Sequence, residues 1–497
     1  MTADPSFPPG GAPAPGALSI VAEWDAELRS ADPLGFPGYD PPPAVSESVR
    51  TGLGAIGGSG VAVIQCRFDR QGGTMGAVAG ERIVRAFERA TDLRLPVVEL
   101  VATGGARLQE GMIALIQMAR TASAVAVHGR AGLMSAAVLR APTTGGVFAS
   151  WASLADVRAA EPGATIGFGG PRVVAEVTGQ WPSAGSHTAE SAYAHGLVDA
   201  LVGEHRQASW LAAAVGLTAA GPLVLPAGRP RQPATRAPAR AAVPIDAYDM
   251  LLRARDPARP SGLEWAAWLT DDWVELRGSD ASVRAALARL AGQRVVMVAM
   301  DRHAFGDAAA KPGPDAFRLA QRAVRLADRL GLAVVTLIDT PGADPSPAAE
   351  AAGVAGEIAR ALLSMAELRG PSVALCVGEG GSGGAMALGH ADRLLILDGA
   401  VFSVIGPEAG AAILYRDGGR APGLTRALRI TAGDLLRQAV VDTVVAETVT
   451  DVRRAVARAL DEARPGDRTA RPRRATAAAL RPVIARGRDA GRELRCS

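Results

Sequence analysis

The chain has 497 residues, 48% of them hydrophobic and 21% charged, a globular composition long enough for about two to four domains. Lys+Arg 53 against Asp+Glu 50 leaves a net +3, which excludes the polyelectrolyte character that would argue for nucleic acid. Nearly all the positive charge is Arg, and the single lysine, Lys311, rules out most lysine chemistry.

Residues 1–30 begin Pro/Gly/Ala-rich, with no basic start and no apolar run. They read as a disordered leader rather than a secretory signal. No run of about 18 apolar residues lacks charge, so no membrane-spanning helix is expected. An α/β block follows over residues 31–225. In it an amphipathic helix over 81–93 leads to an apolar run that ends in Thr103-Gly104-Gly105-Ala106. A helix over 108–126 then precedes a second run ending in Thr143-Thr144-Gly145-Gly146-Val147.

Residues 226–245 turn to Pro, Ala and Arg, a stiff linker. The next block, 246–450, repeats the order. A helix over 317–330 leads to Asp339-Thr340-Pro341-Gly342-Ala343, and a helix over 354–368 leads to a strand ending in Ser382-Gly383-Gly384-Ala385. The offset between blocks is about 237 residues. Later, Glu161-Pro162-Gly163-Ala164 matches the stretch around Ala400, and Gly196-Leu197-Val198-Asp199 matches Ala439-Val440-Val441-Asp442. Residues 451–497 read as a helix to Ala463, a break at Pro465-Gly466, and a basic solvated tail.

Cys66, Cys376 and Cys496 are far apart and form no Cys-x-x-Cys. That excludes a zinc ribbon and fits a reducing cytoplasm. The six histidines form no metal or triad spacing, so no metal is expected. Attention therefore falls on the glycine turns. A strand that ends in glycine before a helix leaves backbone N–H groups without partners. The missing Cβ admits a substrate oxygen, and the helix dipole favours negative charge there. Such a turn holds a phosphate or an oxyanion. The plainer alternative is tight helix–sheet packing, but four turns at matched positions favour function. Other glycine codes fail. Lys311 stands in no phosphate loop, no dinucleotide fingerprint follows a first strand, and Gly381-Ser382-Gly383 is flanked by no triad.

The first block resembles the β subunit of acetyl-CoA carboxylase carboxyltransferase, in the crotonase superfamily. The matching residues are Asp32-Pro33-Leu34-x-Phe36, Gly72-Gly73-Thr74-Met75-Gly76, Thr103-Gly104-Gly105-Ala106-Arg107, Pro142 to Val147, and Glu161 to Arg172. The second resembles the α subunit through Arg253-Ala254-Arg255-Asp256-Pro257-x-Arg259-Pro260, Asp339 to Ala343, Gly378 to Ala385, and Ser403 to Glu408. The resemblance spans most of residues 31–450. It implies an α/β fused β–α chain of two tandem crotonase-like (ClpP/crotonase) domains of repeated ββα units. The four-cysteine zinc ribbon that usually opens the β subunit is missing, as it is in fused propionyl-CoA-type relatives.

The resemblance also implies function. It points to a biotin-dependent acetyl-CoA/acyl-CoA carboxyltransferase of malonyl-CoA and fatty acid biosynthesis, cytoplasmic, without metal, nucleic acid or membrane. Its partners would be a short acyl-CoA, carboxybiotin on a separate biotin carboxyl carrier protein, and biotin carboxylase. Lys311 lacks the Met-Lys-Met context of a biotinylated lysine, so biotin must arrive on another protein. Gly145 and Gly146 would form the thioester oxyanion hole, and Gly384 and Ala385 the biotin hole. Gly72, Gly73, Gly104, Gly105, Ala106 and Arg107 would line the CoA path. Gly383 and Ala387 would contact substrate, the small Ala387 implying a short acyl group. Arg107 reads equally as a salt bridge to Glu110, and Glu379 and Glu408 as structural caps. Fused relatives form homo-oligomers with shared active sites, the first half of one chain against the second half of another. Two competing readings use the same fold. One is a biotin-independent malonyl-thioester decarboxylase of the malonate decarboxylase type, acting on a carrier protein. The other is a non-catalytic carboxylase scaffold, against which the intact glycine pairs argue.

Overall fold

Apolar runs alternating with amphipathic helices assemble into two sheets, one in each of the units Met1–Ala220 and Gly221–Ser497. The computed structural model describes residues 18–30, 34, 36–229, 246–306 and 309–476. Most of the leader, residues 230–245 of the expected linker, Asp32 and Pro33, and residues 477–497 with Cys496 lie outside the described residues.

The first unit carries β1 (Ser19–Trp24), β2 (Val49–Ile56), β3 (Ser59–Cys66), β4 (Val97–Thr103), β5 (Ser135–Thr144), β6 (Val157–Ala160), β7 (Ile166–Gly167) and β8 (Ala200–Leu201). Their order is β1-β2-β3-β4-β5-β6-β8, with β7 beside β5. Pairing is antiparallel through β3 and parallel from β3 onward.

The second unit carries β9 (Asp272–Leu276), β10 (Val283–Leu290), β11 (Gln293–Met300), β12 (Ala333–Thr340), β13 (Ser372–Gly381), β14 (Arg393–Leu397), β15 (Val401–Ser403) and β16 (Thr443–Val445). Its order, β9-β10-β11-β12-β13-β14-β16 with β15 beside β13, repeats the first strand for strand. Parallel neighbours joined through helices are the α/β layer arrangement that the alternation predicts. The Asp199/Asp442 match is structural as well. Asp199 accepts the Arg158 N–H at 2.9 Å, and Asp442 the Leu394 N–H at 2.8 Å.

Several boundaries differ from the sequence reading, each for a physical reason. The helix Ala77–Asp92 starts before residue 81 because the Glu110 carboxylate caps the Ala77 N–H at 2.6 Å. That contact is invisible to local periodicity. A 3-10 turn, Leu108–Glu110, precedes the helix Gly111–Arg130. Pro314 stands in the first turn of the helix Pro314–Leu330, and Gly331 ends it at φ +66°. Arg229, inside the stretch read as linker, pairs with buried Glu264 at 3.0 Å and buried Asp301 at 2.9 Å. Buried carboxylates need a counter-charge, so this part of the expected linker is held to the second unit, which begins at Gly221.

The solvated basic tail also needs correction. Arg468 and Arg471 are buried. Arg468 bonds Asp392 through Nη2 at 2.7 Å and Nε at 2.9 Å, and Arg471 bonds Asp442 at 2.8 Å. The chain therefore stays packed on the second sheet well past Pro465-Gly466.

Phe87, Trp151, Ile83 and Leu139 belong to the core of the first unit. Glu99, on β4 between core residues Val97 and Val101, is fully buried, and neither carboxylate oxygen has a hydrogen-bond partner among the described residues. Burial, with the charge of Asp156 adding to it, raises its carboxyl well above the usual range. A carboxyl raised on folding favours the fold most below its unfolded value and loses that advantage as pH rises toward the folded value. Glu99→Leu is therefore expected to raise the melting temperature, by more at about pH 8 than at about pH 5. An equal gain at both pH values contradicts a neutral buried Glu99.

Candidate active site

In the first unit, the glycine turns picked out by the sequence meet at the ends of β4 and β5. The Gly104 N–H donates to the Gly72 carbonyl at 2.9 Å, and the Met75 N–H to the Gly105 carbonyl at 2.8 Å. A Cβ on Gly73 would stand 2.1 Å from the Ala102 carbonyl oxygen, so glycine is required there. A Cβ on Gly105 would stand 3.1 Å from Gly145 Cα and 3.4 Å from the Gly146 nitrogen. Glycine at 105 thus keeps the Gly146 amide uncovered. The 72–75, 104–106 and 145–146 stretches are therefore in contact, with Gly73 and Gly105 buried between them and Gly104 exposed.

The second unit builds the same arrangement. Gly105 and Gly342 both have positive φ, +106° and +147°. Their N–H groups donate to Thr103 Oγ1 at 2.9 Å and Thr340 Oγ1 at 3.2 Å. A Cβ on Gly381 would stand 2.0 Å from the Pro341 carbonyl oxygen, and one on Gly384 would stand 2.7 Å from the Ala343 nitrogen. The 339–343 and 381–385 stretches are therefore in contact.

Matching strand to strand keeps the offset of about 237 residues, and it puts the expected hole residues Gly384 and Ala385 out of step with Gly145 and Gly146. β5 and β13 are each 10 residues long. The next residues, Gly145 and Ser382, have φ +70° and +58°. Gly145 thus answers to Ser382, Gly146 to Gly383 and Val147 to Gly384. The donors shift accordingly. The Gly145 N–H is taken by the Phe168 carbonyl at 2.9 Å. Ala385 is the first residue of the helix Ser382–Gly389 whose N–H enters the helical ladder. By helix geometry the amides left outside the ladder are Gly146 and Val147 in one unit and Ser382, Gly383 and Gly384 in the other. Val147 and Ser382 escaped the sequence reading. A non-glycine residue at positive φ cannot be read from residue type.

Two expectations change. Arg107 has 1% of its surface exposed. Its guanidinium pairs with Glu47 and with Glu110 (3.1 Å) and donates to Ser48 Oγ (3.1 Å) and the Thr74 carbonyl (3.0 Å). Burial alone would raise the Glu47 carboxyl, but bonds and charge from Arg107 outweigh it and hold it below the usual range. Arg107 is therefore a buried brace of the 104–107 turn, with no free face for a CoA phosphate. Ala387 has no exposed surface and packs with Phe317, Ala349, Val354 and Ala361. It lines no open acyl pocket within its unit, and exposed Met386 stands beside it.

Glu379 and Glu408 both pair with Arg255. Arg255 bonds Glu379 at 2.7 and 2.8 Å and Glu408 at 2.9 Å. It ties the helix Ala247–Ala254 to the end of β13 and to the helix Pro407–Tyr415. Sequence reasoning noted the arginine motif but not this bracing.

Comparison with known proteins agrees with this architecture. A family model for acetyl co-enzyme A carboxylase carboxyltransferase-like proteins matches residues 234–465. The acetyl-coenzyme A carboxylase carboxyl transferase subunits beta/alpha of Salinispora tropica is 41% identical over 457 residues, covering 87% of this chain and 80% of that one. The probable biotin-dependent acyl-coenzyme A carboxylase beta3 subunit of Mycobacterium tuberculosis is 41% identical over 406 residues, covering 81% and 80%. The transcarboxylase 12S structure, with methylmalonyl-coenzyme A bound, shares the fold at TM-score 0.69 and 21% identity, over 88% of this chain and 86% of that one. The chain belongs to the acetyl-CoA carboxylase carboxyltransferase family, as a fused beta/alpha member with crotonase-like domains.

Proposed function

We propose that this chain moves a carboxyl group from carboxybiotin on a separate carrier protein to a short acyl-CoA in the cytoplasm. The observation that carries this reading is the matched turn in each unit, where a strand ends and a helix starts at Gly145 or Ser382 with backbone N–H groups outside the helical ladder. The transfer develops negative charge on a thioester oxygen and on a ureido oxygen. Two preorganised donor pairs are what such chemistry needs, each donor contributing on the order of 3 kcal/mol.

In this reading the Gly146 and Val147 amides hold the acyl thioester oxygen, and Gly72, Gly73, Gly104, Gly105 and Ala106 carry the CoA path over bare backbone. The second unit fits the ureido group. A Cβ on Gly383 would meet nothing closer than Ile358 Cγ2 at 4.0 Å, so the space beside Gly383 is open, while Gly384 is buried against the 339–343 turn. Bound carboxybiotin supplies the carboxyl group and a base for the α-proton. The chain's residues orient both oxygens and stabilise their charge. No protein histidine or cysteine is required, and Cys66 and Cys376 are buried. The partners are then a biotin carboxyl carrier protein and a biotin carboxylase, with no metal. The malonate decarboxylase reading is separated from this one by its independence of biotin.

The chain works as a homo-oligomer in which the first unit of one copy faces the second unit of another. Met112, Leu115 and Ile116 on one helix, and Ile413, Leu414 and Tyr415 on another, are exposed apolar residues that a second copy would cover. Two impaired variants, Gly146→Val and Gly384→Ala, are expected to regain activity when dissociated and mixed. In a mixed dimer one site carries both lesions and the other carries none. Proven mixed dimers without recovery would place each site within one chain.

A further inference from the structure

Asp339 is buried, and the proposed chemistry gives it no task. β12 and β13 pair Ile338 with Cys376 and then Thr340 with Gly380. β13 thus carries Val377, Gly378 and Glu379 across an interval that β12 spans with Asp339 alone. Such a bulge puts backbone groups outside the ladder, and buried ones need partners. Side chains supply them. Arg259 Nη2 donates to the Val377 carbonyl at 3.0 Å. The Glu379 N–H donates to Asp339 Oδ1 at 3.2 Å. A Cβ on Gly378 would stand 2.2 Å from that same oxygen, so glycine is needed to seat the carboxyl. Arg302 Nη1 lies 3.4 Å from it.

The first unit has the same interval without a carboxyl. Val101 pairs with Leu139 and Thr103 with Thr143. In matched register Ala102 stands where Asp339 does, and Pro142 where Glu379 does. Proline has no N–H, so no acceptor is called for. One backbone problem has two solutions, and the second places a carboxyl on the β13 residues 378–379, just before the turn that bears the Gly383 and Gly384 amides.

We propose that Asp339 is a positioning residue for that amide pair: by accepting the Glu379 N–H it fixes the bulge from which Gly381 enters the turn. The inference rests on the carboxyl-transfer reading above. Burial raises the Asp339 carboxyl to about 7, against the lowering influence of Arg302, the Glu379 N–H and Arg259, with Glu379 adding to the rise; buried Cys376 is the other titratable neighbour. Charged or neutral, Oδ1 keeps a lone pair for the N–H, so the amide oxygen of Asn can replace it.

The test compares Asp339→Ala and Asp339→Asn in the full chain, by biotin-dependent kinetics and by amide exchange across residues 376–384. Asp339→Ala is expected to lower kcat by about 10-fold or more, leave KM for acyl-CoA within about 2-fold, and speed the exchange. Asp339→Asn is expected to keep kcat within about 3-fold and exchange near wild type. A folded Ala variant with wild-type kcat overturns the proposal, as does an Asn variant that falls as far as Ala. If the Ala variant does not fold, the Asn variant decides alone. A wild-type chain without biotin-dependent activity would overturn the carboxyl-transfer reading instead, and the exchange rates would still decide the Asp339 contact.

Discussion

Gly146→Val is expected to cut carboxyl-transfer turnover by about 100-fold or more, the usual cost of losing an oxyanion donor, while the chain stays folded. The structure separates the two consequences. A Cβ on Gly146 would meet Met118 Sδ at 2.8 Å, the end of a flexible side chain that can turn aside. The valine side chain, however, stands beside the amide that must receive the thioester oxygen. Gly384→Ala acts differently. Its Cβ would stand 2.7 Å from the Ala343 nitrogen, so backbone must move and the two turns of the second unit must part. Both losses should fall on kcat more than on KM for acyl-CoA, because the donors act where charge develops. Steady-state kinetics with circular dichroism as the folding control checks both. A folded Gly146→Val with full turnover contradicts the assignment of that amide.

The second large effect concerns stability. Arg468→Ala is expected to destabilise the chain by about 3–5 kcal/mol, the cost of breaking a buried ion pair from one side. Asp392 has no exposed surface. It also accepts the Ser372 N–H at 2.9 Å and the Gly466 N–H at 3.2 Å. Without the guanidinium its charge stays buried, held only by neutral donors. The Gly370 carbonyl loses its donor, now at 2.9 Å, as well. Denaturant unfolding measures the loss. A change below about 1 kcal/mol would mean that the pair behaves as a surface bridge.

The repeat was legible because each unit spells the same strand, glycine turn and helix in residue types that only that order satisfies. The glycines at 73, 105 and 384 were legible as turn residues, and a Cβ on each would crowd backbone. What escaped was set by contacts between residues far apart in sequence. Glu47 reaches Arg107 across 60 residues, and Glu110 caps the helix at Ala77 across 33. Periodicity carries neither. Arg468 looked like a tail residue because composition cannot tell an arginine aimed at a buried aspartate from one in water. The expected hole pairs, Gly145-Gly146 and Gly384-Ala385, stand out of step with the offset of about 237 residues because residue letters do not carry backbone conformation. Backbone conformation aligns Gly145 with Ser382.

The most direct measurement follows malonyl-CoA in the reverse direction, with the purified chain and free biotin in place of the carrier. Carboxyl-transfer chemistry predicts that malonyl-CoA is consumed, and acetyl-CoA formed, only when biotin is present, and that Gly146→Val removes the reaction. Decarboxylation of malonyl-CoA at the same rate with and without biotin would contradict the account.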